Sequence, residues 1–349
     1  MLTTVCLTLA LQNKLTLTAS VIPGAGIEIT GLDRFAPQIL TKSDRDSADD
    51  LYGPCVSQRW MVERAGIYAS LEYVRHSASF PPKRTVEGCS TAFYDMMMKM
   101  NVGPNKETNW MFDPAVKFKE RRLLKTNVLG TPAFIDTSLN AKSNTRRATI
   151  AWGSQYERWI LDFVAQPASD AADLLFVTMV KSIKKAAPTE ASLKQATLNP
   201  ISLREFGVQV PCPFVPSITN SLLGQTSSDR KVGLIADAVA GDFYSLTVYK
   251  DEFNSAQAID TKAKARELVN VLGASPDIKH VTGTLGAYAL GDWKGHRLAA
   301  DFFMNGKKQA GVWIVATKGA QKLEVHLRVS AAAGGKALVD KTLAGIKPL

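Results

Sequence analysis

Apolar and polar residues alternate along this chain in short runs, and the runs come in the same order twice. Leu15-Thr16-Leu17-Thr18-Ala19-Ser20-Val21-Ile22-Pro23 alternates and stops at a proline. Val208-Gln209-Val210-Pro211-Cys212-Pro213-Phe214-Val215-Pro216 matches it 193 residues later. Gly66-Ile67-Tyr68-Ala69-Ser70-Leu71-Glu72-Tyr73-Val74 matches Gly241-Asp242-Phe243-Tyr244-Ser245-Leu246-Thr247-Val248-Tyr249 at an offset of 175. Phe176 to Lys184 matches Val339 to Lys347 at an offset of 163, with Val180, Ile183 and Lys184 answering Leu343, Ile346 and Lys347. Ordered blocks with a falling offset mark a duplicated domain whose first copy carries insertions.

Successive side chains of a strand point to opposite faces, so alternation with a period of two predicts strands. Each copy opens on a strand or hairpin, over 5–22 and 205–215, and continues with a strand pair, over 59–76 and 230–250. A helix follows. It is expected over Thr91–Met100, with Phe93, Met96, Met97 and Met100 on one stripe, and over Thr261–Leu272, with Ala265, Leu268, Val269 and Leu272 on the other; both spacings suit a 3.6-residue period. Asp260 is the expected N-cap and Gly273 the expected stop. The next strands are 117–127, 131–139, 146–153 and 156–165, then 278–288, 294–304, 309–317 and 321–329. Turn residues such as Asn140 to Asn144 and Asn305-Gly306 separate them. Closing helices are predicted over 168–184 and 333–346. Residues 188–203, poor in large apolar side chains and containing Pro188 and Pro200, have linker composition. The predicted fold class is α+β: two repeated layered domains, 1–187 and 204–349, each a mostly antiparallel sheet flanked by helices.

Composition supports this without sharpening it. A chain of 349 residues that is 46% hydrophobic and 21% charged is globular and long enough for two cores. No apolar run reaches the ~18 residues of a membrane-spanning helix. Met1 to Leu11 is apolar but lacks a basic flank, so it reads as a strand rather than a signal peptide. An envelope or periplasmic location is expected if an export signal has been removed, and a cytoplasmic one otherwise. The formal charge of +10 is spread evenly: residues 1–187 hold 23 Lys/Arg against 18 Asp/Glu, and the remainder 19 against 14. That distribution argues against a dedicated nucleic-acid domain. The densest run, Lys117 to Lys125, alternates like a solvated strand face; its other use would be to bind an anionic polymer. Lys181, Lys184, Lys185, Lys341 and Lys347 are expected at helix C-termini, where cations suit the macrodipole.

The element order resembles the PsbP-like family, which includes a photosystem oxygen-evolving subunit, a Ran-binding nuclear import factor, DcrB-type envelope proteins and Eag chaperones of secretion effectors. The resemblance spans both copies. It is carried by Phe206-Gly207-Val208-Gln209-Val210-Pro211, by Gly130 and Gly295 as strand-starting glycines, and by the final strand and helix. The family has no shared catalytic residues, so the resemblance implies an adaptor or binding role for a protein partner.

Motifs for chemistry are sparse. Gly24-Ala25-Gly26-Ile27-Glu28-Ile29-Thr30-Gly31 follows an antiparallel-type strand and opens no helix, so it reads as a turn and not as a dinucleotide fingerprint. Gly334-Gly335-Lys336 reads as a helix entry. His76, His280, His296 and His326 have no i,i+3 or i,i+4 partner, and Cys6, Cys55, Cys89 and Cys212 have no Cys-x-x-Cys spacing. No metal and no cofactor are therefore expected. Cys55 and Cys89 both fall in segments that copy two lacks: they are either a disulfide tying the inserted loops or two buried free thiols. Asp136 and Asp301, each six residues after its glycine, share a place in the two copies and are expected to pair with Arg147 or Lys308. An interface hydrolase would use His296 or His326 with Asp301. The remaining candidate is a partner-facing patch in copy one, with Met98, Trp110 and Phe112 as apolar contacts and Arg121 and Arg122 as a charged rim.

Overall fold

A computed structural model describes residues 17–53, 55–76, 82–92, 95, 118–140, 143–194, 196–220, 230–256 and 258–349. The chain divides into two compact units with the boundary between Ala187 and Pro188. In the first unit, β1 (Thr18–Ile22), a 3-10 turn (Pro23–Ala25) and β2 (Ile27–Gly31) form a hairpin. Next come β3 (Ala36–Gln38), α1 (Lys42–Tyr52), β4 (Val56–Arg64), β5 (Ile67–Arg75) and α2 (Val86–Ser90). The unit closes with β6 (Phe118–Val128), β7 (Thr131–Asn140), β8 (Thr145–Gly153), β9 (Glu157–Ala165), α3 (Asp170–Ser182) and β10 (Lys184–Lys185).

The second unit begins with α4 (Glu190–Lys194), β11 (Asn199–Leu203), a 3-10 turn (Arg204–Phe206) and β12 (Val208–Cys212). Then follow β13 (Ser217–Asn220), β14 (Arg230–Ala240), β15 (Tyr244–Phe253) and α5 (Thr261–Ala274). It ends with β16 (Ile278–Leu290), β17 (Trp293–Met304), β18 (Lys307–Lys318), β19 (Gln321–Ser330), α6 (Gly335–Ala344) and β20 (Lys347–Pro348).

Each unit contains a seven-stranded and a three-stranded sheet. The orders are β3-β4-β5-β9-β8-β7-β6 with β1-β2-β10, and β13-β14-β15-β19-β18-β17-β16 with β11-β12-β20. The strand pairs in both large sheets are antiparallel, as in β5 with β9 and β15 with β19. The protein is thus sheet-dominated, with two repeated sheet domains. Helices cover both sheet faces in each unit. In the first, Phe176 of α3 lies 5.5 Å from Phe163 on one face, while Ala48, Tyr52 and Cys89 pack on Val74, Ala151 and Ile160 of the other. In the second, Leu268 and Leu272 of α5 pack on Leu298, Ala300, Phe302 and Trp313. The alternate β19 residues Leu323, Val325, Leu327 and Val329, at most 1% exposed, lie on the face toward α6.

The pairing register corrects how the copies correspond. Lys184 pairs with Glu28 and Lys347 with Gln209, so β2 answers β12 and the opening hairpins differ by 181 residues. The match of Leu15–Pro23 to Val208–Pro216 set β1 against β12, an error that strict alternation invites because any two half-buried strands look alike. Gly26 and Gly207 fix the true correspondence: each closes its 3-10 turn in the left-handed region, at φ 63° and 70°, which glycine adopts without steric cost. Ile67 pairs with Ala165 where Tyr244 pairs with Val329, which moves the second block from an offset of 175 to 177. The third block holds as read: Ile183 and Ile346 are buried just past the two closing helices, and the lysines after them start β10 and β20.

Other expectations shift locally. Residues 188–203 carry α4 and β11 rather than a linker, and Leu193, Ile201 and Leu203 are buried. The opening hairpin of copy two therefore starts at Asn199, not at 205. Helix α2 ends at Ser90, with Thr91 as its C-cap; the stretch from Phe93 to Met100 falls almost wholly outside the described residues, as do residues 1–16. Gly273 does not stop α5, which runs to Ala274 with Ser275 as its cap. Lys184, Lys185 and Lys347 are strand residues, since the chain turns extended as soon as each helix ends. Gly130 sits in the β6–β7 turn at φ 80°, whereas the matching turn of copy two holds Gly291 at φ 57°; Gly295 lies inside β17.

Candidate functional site

Strict alternation in Lys322-Leu323-Glu324-Val325-His326-Leu327-Arg328 puts four polar residues on one face of β19. The cross-strand register brings Thr247, Tyr249 and Asp251 of β15 beside them. Arg230 binds Asp251, Asp251 lies 2.9 Å from Lys322, Lys322 lies 2.7 Å from Glu324, and Glu324 accepts a hydrogen bond of 3.2 Å from Nε2 of His326. The imidazole also lies 5.0 Å from the Tyr249 ring. Burial by itself raises the Glu324 carboxyl, but the His326 and Lys322 hydrogen bonds outweigh it and hold the group at about 2. Each charge in this chain has a partner of opposite sign, as a half-buried ionic network requires.

The proposed hydrolase residues do not assemble. His296 shares a sheet face with Leu298, and His326 pairs through Trp313 with that same row. Both imidazoles are therefore on one face, two strands apart. Asp301, an odd number of residues from His296, projects from the opposite face of β17. His296 instead bonds through Nδ1 to Thr261 Oγ1, 2.9 Å away, at the first residue of α5. The carboxylate partner of His326 is Glu324, which the sequence reading overlooked although the alternation places the two side by side.

Asp136 and Asp301 are not counterparts. Asp136 pairs with Thr149 and Asp301 with Ala310. Aligned on the register, the first unit's row Ser70–Asp162–Thr149–Asp136 answers Thr247–His326–Trp313–Leu298 in the second. Asp136 is buried and Asp301 exposed. Arg147 binds Asp162 at 2.5 Å, which also accepts from Thr149 Oγ1 at 2.8 Å. The same row is thus polar throughout in one copy, whereas in the other its Trp313 and Leu298 belong to the apolar cluster under α5.

Cys55 and Cys89 are free thiols, so the disulfide reading is set aside. Burial pushes both thiols up, and Cys89 accepts a 3.0 Å hydrogen bond from Arg158, which is fully buried. Cys212, pushed up to about 11 by burial, lies 3.4 Å from the Tyr244 hydroxyl. Protonated, enclosed thiols are poor nucleophiles and poor ligands. Among the described residues no group of three His, Cys, Asp or Glu side chains is placed to hold a metal ion, and no helix is long and apolar enough to cross a membrane. A cavity of about 500 Å³ lies beside His280, Lys279, Asp277 and Phe303; the His280 ring meets Phe303 edge-on at 6.0 Å.

Of the partner patch, Met98, Trp110 and Phe112 lie outside the described residues. Arg121 stands in β6, its side chain likewise outside them. Arg122 is exposed on the same strand, next to two leucines that the sequence reading passed over. Leu123 is 56% and Leu124 50% exposed, on opposite faces of the outermost strand. Lys125 follows, its ammonium 5.6 Å from the Phe134 ring.

No family model matches the chain, and no curated protein matches it. A solved structure described as LpqN involved in cell envelope biogenesis of Mycobacterium tuberculosis aligns at 13% identity and a TM-score of 0.22, over 46% of this chain and 99% of that one. A likeness at that score carries no argument about this protein.

Proposed function

We propose that this protein is a non-enzymatic adaptor, built from two PsbP-like domains, that binds a protein partner through strand β6 of the first. The supporting observation is the exposure of Leu123 and Leu124 between Arg122 and Lys125. Adjacent exposed leucines on an outer strand cost solvation, which burial against a partner recovers. The flanking cations suit a partner with an acidic rim. A polyanion would use the cations but leave the leucines wet, so the leucines favour a protein over the anionic-polymer reading. The scattered placement of His296, Asp301 and His326 likewise favours binding over hydrolysis.

The test places a photo-crosslinking residue at position 124 in cells of the native source. A discrete protein adduct is expected, and Leu123→Glu should weaken capture by about 2 kcal/mol or more, as loss of a hot spot does, with the melting temperature unchanged. Adducts to nucleic acid alone, or no adduct, would overturn the reading.

A further inference from the structure

Edge strands present unpaired backbone N–H and C=O groups, and natural sheets usually blunt them with brevity, proline or charge. Among the described residues, three of the four edges of the two large sheets are blunted. Strand β3 has three residues and includes Pro37. Strand β13 has four. Strand β6 is long but carries Lys119, Glu120, Arg121, Arg122 and Lys125. Strand β16 carries such devices only at its start, where Lys279 and the bulge before Thr282 lie. It spans 13 residues, and from Val281 to Leu290 it contains neither charge nor proline. Among the described residues it pairs with β17 alone, and Thr282, Gly283, Thr284, Ala287 and Ala289 are exposed.

We infer that β16 is a self-association edge: two copies of the chain pair β16 with β16, antiparallel, about a two-fold axis at Gly286. An isologous contact needs a surface complementary to itself, and this strand meets that demand. Pairing about Gly286 sets Thr282 opposite Leu290, Thr284 opposite Tyr288 and Leu285 opposite Ala287 of the second copy, with no like charges opposed. Thr284 with Tyr288 is the β-branched–aromatic kind of cross-strand pair that stabilises sheets. At each end, Lys279 comes toward the turn holding Asp292 of the other copy, a carboxylate that lies 2.8 Å from its own Lys318 and is still 78% exposed. The bulge between Lys279 and Thr282 ends the flat stretch, so pairing covers Thr282 to Leu290. A side chain added at Gly286 would meet nothing within 4 Å inside its own domain. The fold therefore gives no steric reason for glycine there, whereas glycine in a strand suits close approach of another backbone. This surface is separate from β6.

Sedimentation of the full chain from low to high micromolar concentration tests the inference. A concentration-dependent dimer is expected. Gly286→Lys, which opposes two like charges at the axis, should weaken it by about tenfold or more without lowering the melting temperature. Ala287→Lys should do the same, and covers the case in which the first variant folds poorly. Lys125→Glu on β6 should leave the dimer unchanged. A monomer at every concentration, including one that captures an extended peptide instead, overturns the inference, and so does a dimer indifferent to both lysines.

Discussion

Glu324 and Asp162 show how single positions of a duplicated sheet take different electrostatic tasks. Asp162 shares its register position with His326, yet it binds Arg147, whereas His326 turns to Glu324 two residues away. The Glu324 carboxyl is held at about 2, below its ordinary 4.5. A depressed carboxylate stabilises the fold fully above the unfolded value and loses that contribution as pH falls through the folded one. The window is therefore pH 4.5 down to about 2. Glu324→Gln should cost on the order of 2–3 kcal/mol near neutral pH, and the gap from the parent protein should close toward pH 2. Denaturant unfolding of both proteins at several pH values measures this; a gap that does not change with pH would remove the ionic account.

Among the elements, α5 shows how a cap fixes a helix against its sheet. Asp260 accepts hydrogen bonds from the backbone N–H groups of Lys262 and Ala263 at 3.0 and 2.9 Å, and Thr261 bonds His296 on β17. The helix start is thus tied to the sheet that its leucines cover. Asp260→Ala should destabilise the protein by about 1 kcal/mol, the usual cost of losing an N-cap, and Asp260→Asn should restore most of it. Thermal unfolding of the two variants distinguishes capping from simple loss of charge. The thirteen-residue helix α3 is capped in the same way by Ser169, its hydroxyl accepting from Ala172 N–H at 3.2 Å.

At the scale of the molecule, each unit depends on its opening hairpin. Strand β12 is held between β11 and β20, so the first and last strands of the second unit lie in one small sheet. A fragment of 188–349 should fold and unfold cooperatively. A fragment of 204–349 lacks Leu193, Ile201 and Leu203, all at most 2% exposed, and should lose several kcal/mol, since each buried aliphatic side chain contributes roughly 1.5–3 kcal/mol. Circular dichroism melts of the two fragments decide the point; equal stability would return 188–203 to the status of a linker.

The sequence by itself determined the strands of both meanders, the closing helices, the Asp260 cap and the fact of duplication. These follow from local periodicity and capping chemistry, which need only neighbouring residues. It misplaced the first repeat because alternation has no phase of its own. The better guide was Gly26-Ile27-Glu28-Ile29 against Gly207-Val208-Gln209-Val210, where glycine marks a required left-handed turn. Composition also hid α4 and β11, whose burial depends on distant strands. Only tertiary structure decided that Asp136 and Asp301 differ, that His296 and Asp301 face apart, and that Glu324 is the acid beside His326. Facing across a sheet is set by hydrogen-bond register between strands far apart in the chain, and a shift of one residue reverses every side chain.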